Sequence, residues 1–127
     1  MKIPKEYNPI MPYLIIKGAE GFVDFMKVVF NAKEQLIVPN PDGTVMHGEL
    51  RVNEGVIMFS EASVEYEPFP AGMCLTIENV DEIYNRAMDN GAISLQEPAN
   101  RDYGRSAGFQ DLFGNRWWLM NPVSLFT

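Results

Sequence analysis

Residues 14–22 read LIIKGAEGF and residues 75–83 read LTIENVDEI. Laid over one another at an offset of 61, Leu14 falls on Leu75, Ile16 on Ile77, Glu20 on Asp81 and Phe22 on Ile83. Each copy opens with alternating apolar residues, the period of a strand, and then changes to helical spacing. In the first half Phe22, Phe25, Met26, Val29 and Phe30 recur at three- and four-residue intervals; in the second Val80, Ile83, Tyr84, Ala87 and Met88 do so, ending at Asn90-Gly91, a left-handed stop. The segments after the two helices are alike as well. Lys33 to Val38, Thr44 to Val52 and Val56 to Ser60 read as strands, separated by the turns Pro41-Asp42-Gly43 and Asn53-Glu54-Gly55. Ala92 to Gln96, Arg105 to Gln110 and Arg116 to Met120 read as strands too, with a loop carrying Pro98 and Asn100 after the first of them. Pro9 to Ile16 and Met73 to Ile77 are the leading strands.

The chain is therefore expected to be α+β: two βαβββ modules, 9–62 and 72–121, joined by a connector at 63–71 within a single domain spanning 1–127. Neither module can bury its sheet alone, so the mixed sheets are expected to curve into a cup with the helices on the outer faces. Within one strand, Met46, Gly48, Leu50 and Val52 should share the helix side, and Val45, His47, Glu49 and Arg51 the opposite one.

Composition bounds the partners. Ten basic residues against 17 acidic ones give a net charge of −7, with no cluster of Lys or Arg. Nucleic acid and anionic lipid, which require clustered positive charge, are thereby disfavoured. No apolar run is long enough to span a bilayer, and no leader opens the chain, so the expected location is cytoplasmic. The single cysteine, Cys74, reads as a reduced, buried small hydrophobe. With one histidine, His47, chemistry needing two imidazoles from one chain is excluded. Gly104-Arg105-Ser106-Ala107-Gly108 matches G-x-S-x-G, yet a hairpin rather than a helix comes after it and the histidine lies upstream, so it is not a nucleophile elbow. Gly104 and Gly108 are read instead as flexible points in a loop where Tyr103 could close over a ligand.

The paired βαβββ order, with His47-Gly48-Glu49-Leu50-Arg51-Val52 before a turn and Asp111-Leu112-Phe113-Gly114-Asn115-Arg116-Trp117-Trp118-Leu119 near the end, resembles the vicinal oxygen chelate superfamily. This is the group of glyoxalases, bleomycin-resistance proteins and dioxygenases, and the similarity is greatest to its PhnB-like branch. It extends from about Pro9 to Pro122, and the closing segment is its most specific part, although Leu112 stands where the usual Asp-Pro-x-Gly turn has proline. The resemblance implies a homodimer, and in metal-dependent members a divalent ion held by His or Glu from the first and last strand of each half. Here those places fall to Met11, Met58, Gly72 or Met73, and Trp118, none an ordinary ligand for such an ion.

The expectation is thus a protein that binds a small aromatic or amphipathic molecule without a metal or other cofactor, lined by His47, Glu49, Arg51, Met58, Tyr103, Arg116 and Trp118. His47 beside Glu49 could form a proton-transfer pair, or Glu49 and Arg51 could simply neutralise each other. Arg116 and Trp118 should share one face of the last strand with Trp117 on the other. No side chain is assigned a catalytic role and enzymatic activity stays open. The alternative is a metal-dependent lyase, isomerase or dioxygenase of the glyoxalase type, with His47 and Glu49 as non-standard ligands completed by Glu61 or a partner chain.

Overall fold

The computed structural model describes residues 1–124. Its elements are β1 (Tyr13–Ile16), α1 (Ala19–Phe30), β2 (Lys33–Pro39), β3 (Val45–Val52), β4 (Gly55–Glu61), β5 (Gly72–Thr76), α2 (Val80–Asp89), β6 (Ile93–Arg101), β7 (Gly104–Gln110) and β8 (Arg116–Pro122). They form two compact units dividing between Phe69 and Pro70. Each is one βαβββ module, and each sheet is mixed.

In the first unit the strand order is β1-β4-β3-β2, with β1 parallel to β4 and the other pairs antiparallel. The apolar stripe of α1, including Phe22, Met26 and Val29, is buried with Leu14, Ile16, Leu50 and Phe59. Phe22 meets Phe59 edge to face at 5.2 Å between ring centres, the geometry that places a positive ring edge against a negative ring face. At the start of α1 the Glu61 carboxylate accepts the Gly18 and Ala19 amides at 2.8 and 3.0 Å. It thereby caps amides that have no intrahelical partner and places negative charge at the positive end of the helix.

In the second unit the order is β5-β8-β7-β6, again with one parallel pair, β5 to β8. Ile83, Tyr84 and Ala87 of α2 are buried with Ala107, Phe109, Trp117 and Leu119. Arg105 on β7 grips Asp81 in the first turn of α2 through two parallel bonds, Nε to Oδ1 at 3.0 Å and Nη2 to Oδ2 at 2.7 Å. Gly91, at φ 91°, sits just past α2, where the sequence places a left-handed stop.

Several local expectations are corrected. The leading strand begins at Tyr13 rather than Pro9; Pro9 and Pro12 have no N–H to give a ladder. Val45 is buried and Met46 exposed, the reverse of the alternation reading. The register slips between Val38 and Pro39, which pair with His47 and Val45, so Met46 is an extra residue in a bulge. The stretch with Pro98 and Asn100 is strand, not loop: β6 is an edge strand, and a register shift between Gln96 and Ala99 accommodates the proline. Cys74 is exposed, because it alternates with Leu75 on the sheet face away from α2. Gly104 and Gly108 are both inside β7, where close approach and not flexibility demands glycine. A Cβ on Gly104, at φ 132°, would lie 2.2 Å from the Asn121 carbonyl oxygen.

Candidate functional site

On the first unit, the face of the sheet away from α1 carries the polar residues. Tyr13 and Glu49 both pair in register with Met58, so the three form a row across β1, β4 and β3, and His47 lies two residues along β3 on the same side. His47 Nε2 lies 2.8 Å from Glu49 Oε2, and Tyr13 Oη lies 3.1 Å from His47 Nδ1. Tyr7 donates to Glu49 Oε2 at 3.0 Å and Gln35 Nε2 to Oε1 at 3.0 Å. Arg51 is joined to this group through Gln35 Oε1 at 2.9 Å, and both Arg51 and Gln35 also donate to the Glu6 carbonyl. Gln35 thus bridges Glu49 and Arg51. A shallow cavity of about 300 Å³ lies here, bordered by Pro4, Glu6, Tyr7, Gln35, Leu36 and Glu49.

Glu49 is only 2% exposed. Burial pushes its carboxyl group up, but the hydrogen bonds donated by Gln35, His47 and Tyr7, with the charge of His47, outweigh burial and leave it below the ordinary value. The same bond to Glu49 is the main reason the Tyr7 phenol is raised. With the folded-state carboxyl below its unfolded value, the unfolded chain binds more protons in the interval between them. The stabilising contribution is fully present above the unfolded value and is lost as pH falls through the folded one. The stability difference between wild type and Glu49→Gln should therefore shrink as pH is lowered from about 6 to about 3. Urea titrations across that range check it; a difference independent of pH would contradict the reading.

On the second unit, Trp117 is 2% and Trp118 37% exposed. Adjacent indoles on β8 thus take opposite faces, as alternation expects. Trp118 packs closely against Gly108 of β7, its partner in register, where a Cβ would come within 2.4 Å of the indole ring. Beside it is a groove of about 280 Å³ whose lining includes Cys74, Gln96, Tyr103, Ser106, Trp118 and Met120. The Tyr103 and Ser106 hydroxyls are 3.3 Å apart. Arg116 shares the Trp118 side of β8 but lies outside this lining, its Nε donating to Gln110 Oε1 at 3.3 Å. Of the seven residues singled out in the sequence, His47, Glu49, Arg51 and Met58 lie on the first unit's open face. Tyr103 and Trp118 line the groove of the second, with Arg116 beyond its edge.

Tyr7, Tyr13 and Gln35 were not foreseen. Tyr13 was legible: with Leu14 and Ile16 facing the helix, period two sends Tyr13 to the open face. Gln35 sits at the register shift between Glu34 and Leu36, where alternation assigns no face.

The donor set does not suit a divalent ion. Of the places named in the sequence, Met11 lies before β1, and the residues in register with Met58 and Trp118 are Tyr13 and Cys74 rather than Met11 and Gly72 or Met73, so these strands present a thioether, an indole, a phenol and one thiol. Glu61, the acid from this chain named to complete a set with His47 and Glu49, holds the α1 amides instead. Among the described residues no group of three or more His, Cys, Asp or Glu side chains is placed to hold a metal.

The chain is 29% identical over 126 residues to an uncharacterized protein of Mycobacterium bovis, covering 90% of this chain and 83% of that one. Among solved structures it resembles TioX from Micromonospora sp. ML1, with a TM-score of 0.77, 22% identity and coverage of 92% and 100% of the two chains. It also resembles TnmS3, an antibiotic binding protein from Streptomyces sp. CB03234, at a TM-score of 0.71, 19% identity and coverage of 92% and 100%. The model of the Glyoxalase/Bleomycin resistance protein/Dioxygenase superfamily matches residues 8–119, which together with the duplicated βαβββ unit makes this chain a member of that superfamily.

Proposed function

We propose that the protein binds a small aromatic or amphipathic molecule without the divalent ion used by metal-dependent relatives, and that the groove beside Trp118 receives its planar part. One observation carries this reading: an exposed indole packed against a glycine beside a groove of about 280 Å³. A ring fixed in that way offers a stacking surface at little entropic cost, with Tyr103, Ser106 and Gln96 supplying hydrogen bonds at the margin. His47, Glu49, Arg51 and Met58 form a second, more polar ligand-facing surface, and Arg116 an outlying positive charge. TnmS3, described as antibiotic binding, has the same fold and supports the reading by analogy. An exposed thiol, Cys74, in the groove suits a reducing compartment, hence a cytoplasmic location. The uncovered apolar side chains of Ile10 and Phe69 support a homodimer as the working unit.

Thermal-shift measurements on chelator-treated protein test the function. A ligand at a hundred times its Kd stabilises by about 2.7 kcal/mol, so a panel of planar aromatic and amphipathic molecules should contain members that raise Tm. Trp118→Ala should abolish that rise while Trp117 stays buried. If no member shifts the wild type, or if the shift survives in Trp118→Ala, the proposal fails.

A further inference from the structure

We propose that Tyr13, His47 and Glu49 form an acid–base relay on the first unit that makes the Tyr13 phenol oxygen a nucleophile toward activated acyl groups such as aryl esters. The order of the three groups dictates the proton positions. Glu49 is buried and held in its ionised form, so it can only accept. In the neutral imidazole the hydrogen then sits on Nε2, 2.8 Å from Glu49, and Nδ1 turns its lone pair to the Tyr13 hydroxyl at 3.1 Å. The two rings are 5.7 Å apart and tilted by 35°, which suits the in-plane approach of a phenol to an imidazole nitrogen. Tyr7 donates to the same oxygen, Oε2, and Gln35 anchors Oε1, so Glu49 cannot rotate away without breaking two further bonds.

This is the arrangement of nucleophile, base and buried orienting carboxylate that recurs on unrelated folds, with a phenol in the place of the usual hydroxyl. Exposure also rises outward along it: Glu49 is 2% exposed, the His47 side chain 25% and Tyr13 50%. The reacting end is the accessible one. In the step itself a bond forms between Tyr13 Oη and the acyl carbon, the ester C–O bond breaks and the aryl oxide leaves. The phenolic proton passes to His47 Nδ1, and the resulting imidazolium is stabilised by Glu49. His47 thus acts as base on the reacting group and Glu49 as a positioning residue behind it.

The probe is p-nitrophenyl acetate. The full chain should release p-nitrophenolate, and peptide mapping should find the acetyl group on Tyr13, formed at least tenfold faster than on Tyr66. Tyr66 is 64% exposed, a more accessible phenol, and both ring nitrogens of the single histidine are committed to Tyr13 and Glu49. Tyr13→Phe should remove that label and leave the Tyr66 rate unchanged. His47→Ala should bring the Tyr13 rate down to that of Tyr66 and make it rise in proportion to hydroxide, as an unassisted phenol does. Glu49→Gln should slow Tyr13 by a similar factor without altering Tyr66, a difference that general loosening of the fold would not produce; far-UV circular dichroism checks that each variant is folded. Tyr13 labelled no faster than Tyr66, a label confined to lysine or to His47, or a Tyr13 rate indifferent to His47→Ala would each overturn the relay. Because the readout is covalent and local to the first unit, it stands or falls independently of ligand binding at Trp118.

Discussion

Asp111→Ala is expected to lower the unfolding free energy by about 3 kcal/mol, because it leaves several donors unpaired in a buried place. Asp111 is 3% exposed. Its Oδ1 accepts the Phe113 and Asn115 amides at 2.8 and 2.9 Å, and its Oδ2 accepts Asn115 Nδ2 at 3.1 Å and Trp117 Nε1 at 2.9 Å. Asn115 Oδ1 in turn accepts the Ala71 amide at 3.0 Å, so one carboxylate ties the β7–β8 turn to the entry of β5. Alanine removes the acceptor that the indole N–H and two amides share where water reaches poorly, and the loss exceeds that of any single surface bond. In a domain of this size that corresponds to a fall in Tm of roughly 10 °C. Asn should cost less, since it keeps one carbonyl oxygen for the turn amides but sets an NH₂ against Trp117 or Asn115. Urea titration of both variants decides it: an Asp111→Ala loss below about 1 kcal/mol would mean that the cluster is solvated in practice.

The segment Asp111 to Trp117 stands out in the sequence as a turn, but nothing there announces the bonds that Asp111 makes, whereas the fold around it was legible. LIIKGAEGF and LTIENVDEI repeat a strand-to-helix transition, and the burial of Leu14, Ile16, Phe22 and Ile83 comes from it. Trp117 and Trp118 were assigned to opposite faces by period two alone, correctly, because β7 and β8 pair without a shift over all of their shared length. Two of the errors fall where the register slips. Met46 and Val45 exchange faces opposite the Val38/Pro39 irregularity, and a proline that ought to end β6 is absorbed by another. A bulge is a tertiary event with no composition of its own, so alternation counts straight through it. The polar site was only half legible for a related reason. His47, Glu49 and Arg51 lie on a strand that pairs with β4 without a shift, whereas Tyr7 arrives from an aperiodic segment and joins Glu49 across 42 residues.

Two glycine substitutions should separate what holds the fold from what serves a ligand. A Cβ on Gly48 would sit 2.2 Å from the ring of Phe59, and one on Gly108 would sit 2.4 Å from the ring of Trp118. The clashes are nearly equal; the means of relieving them are not. Phe59 is 0% exposed and wedged against Phe22, so its ring can move only by displacing the core between α1 and the sheet. Gly48→Ala is accordingly expected to destabilise by about 3 kcal/mol, at the upper end for overpacking. Trp118 is 37% exposed and can swing outward from β7. Gly108→Ala should therefore cost under about 1 kcal/mol, offset in part by the lower entropy of the unfolded chain, while it displaces the indole from its place against β7. The ligand-induced Tm rise should then be lost in Gly108→Ala and retained, from a lower starting Tm, in Gly48→Ala. Chemical denaturation and thermal shift on the same two proteins measure both halves. Equal stability losses would show that Trp118 is as confined as Phe59, and an undiminished ligand response in Gly108→Ala would show that the seat beneath the indole does not shape the site.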